Sequence, residues 1–445
     1  MNLKRDVKMP EQVGFIFRVL NCAGFEAFIV GGCVRDSIMG RVPGDWDIAT
    51  NAMPHEIKFL FSKTIDTGIK HGTVTVVIQG SNFEVTTYRV EGEYRDHRHP
   101  ENVGFTSSLK EDLSRRDFTI NAIAYHQETG FIDPFNGIED IETGIIRAVG
   151  NPSHRFREDA LRMLRAIRFS AQLGFDIEQS TLEGIRDNSD LILNISSERI
   201  RDELTKILVS DHTEKFKLLK DTGLLKLMIP EFDACFEAGQ NNPYHIYNVA
   251  EHSLKAVSFI TNESVLRWTM LLHDIGKVFT KTTDAQGVDH FHEHHEKSMQ
   301  MAADLLKRFK FDNRTIERVC RMVKHHDRQI ELSMKAVRRA VNIVGDDIFE
   351  DLLRVREADV QAQNPELSEK RLEQLNVIKN LYNEIISKGE CTGLRKLAIN
   401  GDDLVKMGIP QGKEIKLILE KLLEIVLENP ELNLREKLLE QVGKL

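Results

Sequence analysis

Residues 31–50 read GGCVRDSIMGRVPGDWDIAT and combine glycines, an arginine and aspartates in one short segment. Its DWDIA end is predicted to be a β-strand, in which side chains alternate between two faces. Asp45 and Asp47 would then share a face, where two carboxylates repel each other unless a cation lies between them. An incomplete shell of carboxylate oxygens is typical of Mg²⁺ that also holds a substrate phosphate. The segment therefore predicts a magnesium site.

The residues before this pair predict a phosphate contact. FIVGG is predicted to be an apolar strand that ends at Gly31 and Gly32, and VRDSIM is predicted to begin a helix. Glycines at such a turn allow backbone N–H groups to approach an anion. The simpler alternative is a tight turn at the glycines followed by two surface acids, and either feature alone would be compatible with it. The ordered combination favours the phosphate and metal interpretation.

Length and composition limit the class of protein. A chain of 445 residues predicts two to four domains. Its net charge of −9 means that any nucleic-acid surface must be a local cluster of Lys and Arg. The sequence contains no apolar run of roughly 20 residues, no apolar secretory segment near residue 1 and no C-x-x-C pair. A cytoplasmic protein without membrane association is expected.

A third acid would complete a two-metal site. Glu84 lies in FEVTTYR, a predicted strand, and three carboxylates would converge if that strand neighbours DWDIA. Such a site suits nucleotide polymerisation, where one metal activates a 3′-hydroxyl and another holds the triphosphate. Arg35, Arg115 and Arg116 are expected to supply positive charge around it. A surface acid on an edge strand is the alternative for Glu84.

An arginine-rich helix is predicted over residues 155–175, RFREDALRMLRAIRFSAQLGF. Beside its apolar stripe, Arg162, Arg165 and Arg168 form a basic band. A surface ion pair between Glu158 and Arg162 explains one of these arginines. We expect anions near the other two.

The chemistry of Asp159 and Arg162 predicts selection between bases. Arginine only donates hydrogen bonds and ionised aspartate only accepts them. Cytosine and adenine each present a ring acceptor beside an amino donor, whereas guanine and uracil present the reverse. The pair would therefore accept C and A and reject G and U, because a mismatch leaves buried polar groups unpaired.

Four motifs together resemble the class II tRNA nucleotidyltransferase/poly(A) polymerase family, the group of bacterial CCA-adding enzymes within the polymerase-β-like superfamily. They are GGCVRD…GDWDIAT, EVTTYR, RRDFTINAIAY and EDALRMLRAIRF, all within the first 200 residues. The resemblance implies a nucleotidyltransferase that builds the 3′-terminal CCA of tRNA from CTP and ATP with Mg²⁺. It implies these site residues: Asp45 and Asp47 for metal, Glu84 as third acid, Gly32, Arg35 and Arg116 for the triphosphate, and Asp159, Arg162, Arg165 and Arg168 for nucleotide selection and phosphate binding.

A second set of residues, rich in histidine, occupies residues 244–360. His273 and Asp274 are adjacent at the end of an apolar helix, and burying both is costly without a cation. Imidazole with carboxylate suits a divalent metal such as Mn, Fe, Ni or Mg. The pattern resembles the HD phosphohydrolase domain. That resemblance implies these ligands: His252, His273, Asp274 and Asp359 as the core, with His294 and His326 for a second metal, where His292, His295 and His325 remain alternatives.

The expected fold class is α+β, with a polymerase-β-like head containing a mixed sheet, followed by an all-α neck, body, HD domain and tail. The predicted domains are the catalytic head (1–145), the nucleotide-selecting and tRNA-binding neck (146–200), the helical body (201–243), the HD domain (244–365) and the tRNA-binding tail (366–445). The tail lysines Lys406, Lys413 and Lys416 are candidates for phosphate contacts. A monomer or homodimer is expected.

Several alternatives remain open at this stage. Residues 91–105 resemble the loop that accompanies A addition in the family, which favours a full CCA product. A CC-adding, A-adding or poly(A) polymerase member is the nearest alternative. A metal-dependent nucleotide or RNA phosphohydrolase as the main activity is an alternative of another class, and a tRNA-binding scaffold with inactive sites is a third.

Overall fold

The computed structural model describes residues 7–91 and 103–444. It divides into two compact units, Met1–Pro230 and Glu231–Leu445, each of which is described by itself. Most of the loop related to A addition, residues 92–102, lies outside the described residues. The boundaries between the five predicted domains stay predictions.

The first unit contains a mixed sheet, as predicted. Its strands are β1 (Ala27–Val30), β2 (Asp47–Thr50), β3 (Thr64–Gly68), β4 (Thr73–Ile78), β5 (Ser81–Thr87), β6 (Arg89–Glu91), β7 (Val103–Phe105), β8 (Ala124–His126), β9 (Gly130–Ile132), β10 (Ile145–Ile146) and β11 (Asp176–Ile177). Seven of them form one sheet in the order β3-β4-β5-β2-β1-β8-β9, in which only β2 and β5 pair in parallel. In β5, buried Phe83 and Val85 alternate with Glu84, which is exposed, because successive side chains point to opposite faces.

Two strand predictions need correction. The paired strand within DWDIA begins only at Asp47, because Pro43 lacks a backbone donor and the chain bends at Gly44. TINAIAY begins with a short 3₁₀ turn and becomes a strand at Ala124. Within that turn, the Asn121 side chain donates to Asp117 and accepts from an arginine, so local side-chain bonds compete with the strand ladder.

The helices of the first unit alternate with these strands in the chain and continue after them. They are α1 (Glu11–Cys22), α2 (Gly32–Ile38), α3 (Pro54–Leu60), α4 (Leu109–Ser114), α5 (Gly137–Thr143), α6 (Pro152–Glu158), α7 (Leu161–Leu173), α8 (Gln179–Asp187), α9 (Ser197–Leu208), α10 (Lys217–Asp221) and α11 (Leu224–Met228), and α12 (Pro230–Asp233) spans the boundary. The single helix predicted for residues 155–175 is wrong. It breaks at Asp159, whose backbone is extended and whose Oδ1 accepts the N–H of Leu161 in the manner of a helix cap.

The second unit is helical apart from one hairpin. Its elements are α13 (Val249–Phe259), α14 (Ser264–Leu272), α15 (Lys277–Thr280), β12 (Lys281–Thr283), β13 (Asp289–Phe291), α16 (His294–Arg308), α17 (Asn313–His325), α18 (Met334–Val344), α19 (Phe349–Gln361), α20 (Pro365–Ser387), α21 (Gly401–Lys406), α22 (Lys413–Glu428) and α23 (Arg435–Val442). The amphipathic tail helix predicted from its apolar spacing is α22, which buries Leu422 and Val426. Among the described helices, none is long and apolar enough to span a bilayer.

Candidate active site and metal cluster

A cavity of about 680 Å³ lies in the first unit, between the β1–α2 turn, the start of β2, and helices α7 and α9. Most of the site residues predicted for this unit line it. They are Gly32, Arg35, Asp45, Asp47, Arg116, Asp159, Arg162 and Arg165. Glu84 and Arg168 are described by the structure but lie outside the lining.

The two aspartates of the cavity suit a divalent cation. Burial and the neighbouring Asp45 carboxylate raise the pKa of Asp47 to about 6, although Arg116 acts in the opposite direction. Strand β5 does neighbour β2, and Glu84 stands opposite Asp47 in the register. However, within the described residues, sets of three metal-ligating side chains within 4.8 Å of one another occur only in the second unit. Asp45 and Glu84 nevertheless both act on Asp47 as neighbouring negative charges, so the three carboxylates lie near one another without forming so close a set among the described residues.

Gly31 controls the approach of Arg116 to the aspartates. Its φ of +78° favours glycine, and a Cβ at this position would lie 3.0 Å from Arg116 Nη1. Arg116 Nη2 donates to Asp112 at 3.3 Å, while its buried Nε has no hydrogen-bond partner in the part of the chain that the structure describes. On the same side, Arg35 Nη1 donates to Asn121 Oδ1 at 2.6 Å. Gly31 thus leaves space for Arg116, while Asp112 and Asn121 hold the two guanidinium groups in the cavity that contains the aspartates.

The arginine band on α7 is neutralised within the protein. Each arginine has a carboxylate partner: Arg162 pairs with Glu158 at 2.8 Å, Arg165 with Asp117 at 2.7 Å and Arg168 with Glu203 at 3.2 Å. As expected, the helix-surface pair explains only Arg162, but the other two arginines meet carboxylates from distant segments of the chain where anions had been expected. The band by itself is therefore no indication of anions, although Arg162 and Arg165 still face the cavity.

Asp117 and Arg199 are cavity residues that the sequence analysis missed. Arg199 Nη2 lies 3.2 Å from Asp159 Oδ2. The segment SERIRDEL offered a signal, since Arg199 and Glu203 lie four residues apart on one face of α9. No local pattern in the sequence indicates that Arg199 pairs with Asp159 or that Glu203 pairs with Arg168.

Six residues of the second unit, all predicted as metal ligands, form one cluster at helix ends and on helix faces. They are His252, His273, Asp274, His294, His326 and Asp359. The Nε2 atoms of His252 and His273 are 3.3 Å apart, and those of His294 and His326 are 3.4 Å apart. Asp274 lies between the two pairs, with Oδ2 3.3 Å from His273 and Oδ1 3.3 Å from His294.

The histidines of this cluster are oriented for coordination. The Nδ1 atoms of His273, His294 and His326 lie 2.7–2.9 Å from backbone carbonyl oxygens three residues earlier. A carbonyl only accepts, so each Nδ1 carries a proton and each Nε2 faces the centre of the cluster, where it can offer a lone pair to a cation that takes the place of a proton. This second contact is how proteins orient metal-binding histidines.

The charge of the cluster also favours cations. Asp274 Oδ1 is buried and has no hydrogen-bond partner among the described residues. Although burial opposes it, the carboxylates of Asp274 and Asp359 raise the pKa of His273 to about 10. The cluster therefore attracts positive charge, which a divalent cation bound by Nε2 and carboxylate oxygens would supply in place of a proton. Its donor set fits Mn, Fe, Ni or Mg.

Three family models match successive parts of the chain. They are described as the Poly A polymerase head domain (residues 27–147), the probable RNA and SrmB-binding site of polymerase A (174–236) and tRNA nucleotidyltransferase domain 2, putative (280–442). A solved structure, the Bacillus stearothermophilus CCA-adding enzyme in complex with CTP, superimposes with a TM-score of 0.71 at 30% identity, over 98% of this chain and 97% of that one. The chain belongs to the CCA-adding enzyme family.

Curated relatives resemble part of the chain more strongly. The CCA-adding enzyme of Lactobacillus helveticus is 48% identical over 52% of this chain and 57% of its own length. That of Geobacillus kaustophilus is 53% identical over 48% of this chain and 53% of its own length. The matched region thus spans about half the length of these curated relatives. The head model includes Asp45, Asp47 and Arg116, whereas the third model starts after His252 and His273.

Proposed function

We propose that the protein adds or repairs the 3′-terminal CCA of tRNA without a nucleic-acid template, using CTP and ATP and releasing pyrophosphate. The observation that carries this proposal is one cavity that combines Asp45 and Asp47 with Arg116 and with the pair Asp159 and Arg162. Catalytic carboxylates and a base-reading pair in one cavity suit a nucleotidyltransferase that selects its own nucleotide. A cytoplasmic location follows from tRNA as substrate.

The residues of the cavity divide the work of phosphoryl transfer. Magnesium bound by Asp45 and Asp47 would lower the pKa of the tRNA 3′-hydroxyl and offset charge on the triphosphate. Arg116 and Arg35 would hold the triphosphate through charge-assisted hydrogen bonds. The hydroxyl gives its proton to solvent, its oxygen forms a bond to the α-phosphorus, and the bond from that phosphorus to pyrophosphate breaks. Positioning and electrostatics supply most of the rate in such reactions.

Base selection would be carried by Asp159 and Arg162. Asp159 accepts from Leu161 N–H and from Arg199, and a carboxylate has further acceptor positions for a cytosine or adenine amino group. Arg162 is held by Glu158 and by the carbonyl of Arg115. Rigid donors and acceptors reject a mismatched base more strongly than mobile ones, because they cannot rearrange to pair with it.

The test is incubation of the full chain and Mg²⁺ with tRNA that ends at the discriminator base, with CTP, ATP or both. Extension by CCA is expected only with both nucleotides. Asp45→Asn should abolish extension, whereas the exposed surface acid Asp66, replaced as Asp66→Asn, should leave it unchanged. A product that stops at CC, gains only A or grows to poly(A) would support the related alternatives, and full activity of Asp45→Asn would contradict the proposal.

We further propose that the cluster in the second unit hydrolyses phosphate esters. The supporting observation is the orientation of three Nε2 atoms around Asp274. Divalent metal there would lower the pKa of water and polarise a phosphoryl group. Water adds to phosphorus, the phosphorus–oxygen bond to the organic group breaks, and the leaving oxygen takes the proton that the water loses, which gives an alcohol and phosphate.

Hydrolysis of p-nitrophenyl phosphate after addition of Mn²⁺, Ni²⁺, Fe²⁺ or Mg²⁺ tests this second function. His273→Ala should lose both bound metal and hydrolysis while keeping CCA addition. His290, which pairs with Asp284 on the hairpin, is the matched control as His290→Ala. Hydrolysis that persists in His273→Ala, or a wild-type protein that binds none of these metals, would contradict the proposal.

A further inference from the structure

A cavity of about 290 Å³ opens onto the metal cluster of the second unit. Its lining includes Asp359, which groups with His252 and His273, and His326, which groups with His273 and Asp274. Two arginines also line it: Arg356, one turn before Asp359 on α19, and Arg371 on α20. The size is at the small end of ligand cavities, which suits a small molecule more than a folded RNA.

The guanidinium group of Arg356 has a buried donor atom, Nη1, that makes no hydrogen bond among the described residues. This differs from the three arginines of α7, each of which meets a carboxylate. A buried, unpaired donor costs free energy, and an anion in the cavity would offset that cost.

Arg371 is held in place by its neighbours. It donates to Gln363 Oε1, and its guanidinium lies 5.6 Å from the centre of the Tyr244 ring. Gln363 in turn donates to Asp359 Oδ1 at 3.2 Å. One chain of contacts therefore links the position of Arg371 to a residue of the metal cluster.

The rest of the cavity is of mixed character. Asp327 and Glu331 lie on the segment after α17. The apolar lining residues are Ile330, Leu332, Val360, Leu375 and Ile378. Apolar walls suit the organic group of a ligand. The two guanidinium groups beside the cluster suit a phosphate on that ligand, since one guanidinium can donate two hydrogen bonds to phosphate oxygens at once.

We propose that Arg356 and Arg371 form the phosphate-binding subsite of this cluster, and that the ligand is a small phosphate monoester whose organic group contacts the apolar wall. This proposal rests on the hydrolase function proposed above. It assigns the two arginines to substrate binding and leaves metal binding to the histidines and aspartates.

Binding of inorganic phosphate to the full chain, measured by calorimetry with and without Mn²⁺, tests the subsite. Arg356→Met is expected to weaken phosphate binding about tenfold or more, because charge-assisted hydrogen bonds are lost. Metal content should stay unchanged, and KM for p-nitrophenyl phosphate should rise more than kcat falls. Arg371→Met should act in the same direction, and Arg356→Lys should recover part of the affinity. Arg354, on the same helix but outside this cavity, is the matched control as Arg354→Met.

The outcomes separate the two proposals. Phosphate binding that depends on Arg356 supports the subsite even in a protein that binds no metal, a result that would contradict only the hydrolase. Wild-type protein that binds no phosphate would overturn the subsite. Equal phosphate affinities of wild type and Arg356→Met, with metal still bound, would also overturn it.

Discussion

Arg199 Nη2 lies 3.2 Å from Asp159 Oδ2, which ties helix α9 to the break between α6 and α7. The other carboxylate oxygen of Asp159 accepts the N–H of Leu161. These two contacts fix the plane of the carboxylate that is proposed to read the base. Arg199 is therefore a positioning residue for nucleotide selection.

Replacing Arg199 by Met should loosen Asp159 and lower selectivity for CTP and ATP over GTP and UTP. A loss of about tenfold in the ratio of kcat/KM values is expected, since one charge-assisted contact is removed. Arg199→Lys should restore part of it. Arg201 on the same helix pairs with Asp202, so Arg201→Met is the control. Unchanged selectivity in Arg199→Met, measured by single-nucleotide incorporation, would contradict this role.

Arg168 should contribute to stability and not to nucleotide binding. It lies outside the cavity lining, pairs with Glu203 and packs 4.2 Å above the Phe169 ring. Arg168→Met removes this pair and leaves the buried Glu203 carboxylate with its longer contact to Lys206, at 3.4 Å, which should cost about 1.5–3 kcal/mol. Chemical denaturation of the first unit should show this loss, while KM for CTP stays near its wild-type value. A large rise in KM in the folded variant would show that Arg168 acts on the nucleotide.

Gly31→Ala tests the close approach of Arg116. The substitution places a Cβ 3.0 Å from Arg116 Nη1 at a φ of +78° and a ψ of −136°, so it combines steric displacement with backbone strain of about 1–3 kcal/mol. Gly24 has a φ of +86° and open space around it, so Gly24→Ala shares only the strain. KM for CTP and ATP should rise in Gly31→Ala alone. Equal effects of the two substitutions would mean that backbone strain explains the result.

The Asp117 carboxylate is expected to make the stability of the first unit depend on pH. Although burial would raise it, the Arg165 guanidinium lowers the pKa of Asp117 to about 2. The folded form thus binds the proton less readily than the unfolded chain. The ionised Asp117 carboxylate therefore stabilises the folded first unit by about 2 kcal/mol. This contribution is complete above about pH 4 and is lost as the pH falls towards 2.

Asp117→Asn should therefore be less stable than wild type near neutral pH, and the difference should shrink on acidification. Hydrogen exchange of α7 amides, compared between the two proteins at each pH, measures this difference without assuming that the two units unfold together. A difference that stays constant from about pH 7 to 3 would contradict the assignment.

The sequence was informative where chemistry and pattern are local. The apolar spacing of β4 and β5 predicted strands that formed, and the stripe of Leu161, Leu164 and Ile167 predicted the buried face of α7. The predicted continuous helix failed at Asp159, because a side chain that caps the next helix competes with helical hydrogen bonding. Periodicity does not record that competition.

The tertiary structure decided which side chains pair with one another. Asp45 and Asp47, and the adjacent His273 and Asp274, could be recognised because their neighbours in the chain carry the signal. Whether a distant acid neutralises an arginine depends on which helices pack together: Asp117 and Arg165 are 48 residues apart, and His252 and Asp359 are 107 apart. Local residue order determines which chemical groups are present, whereas packing over such separations determines which groups share a site.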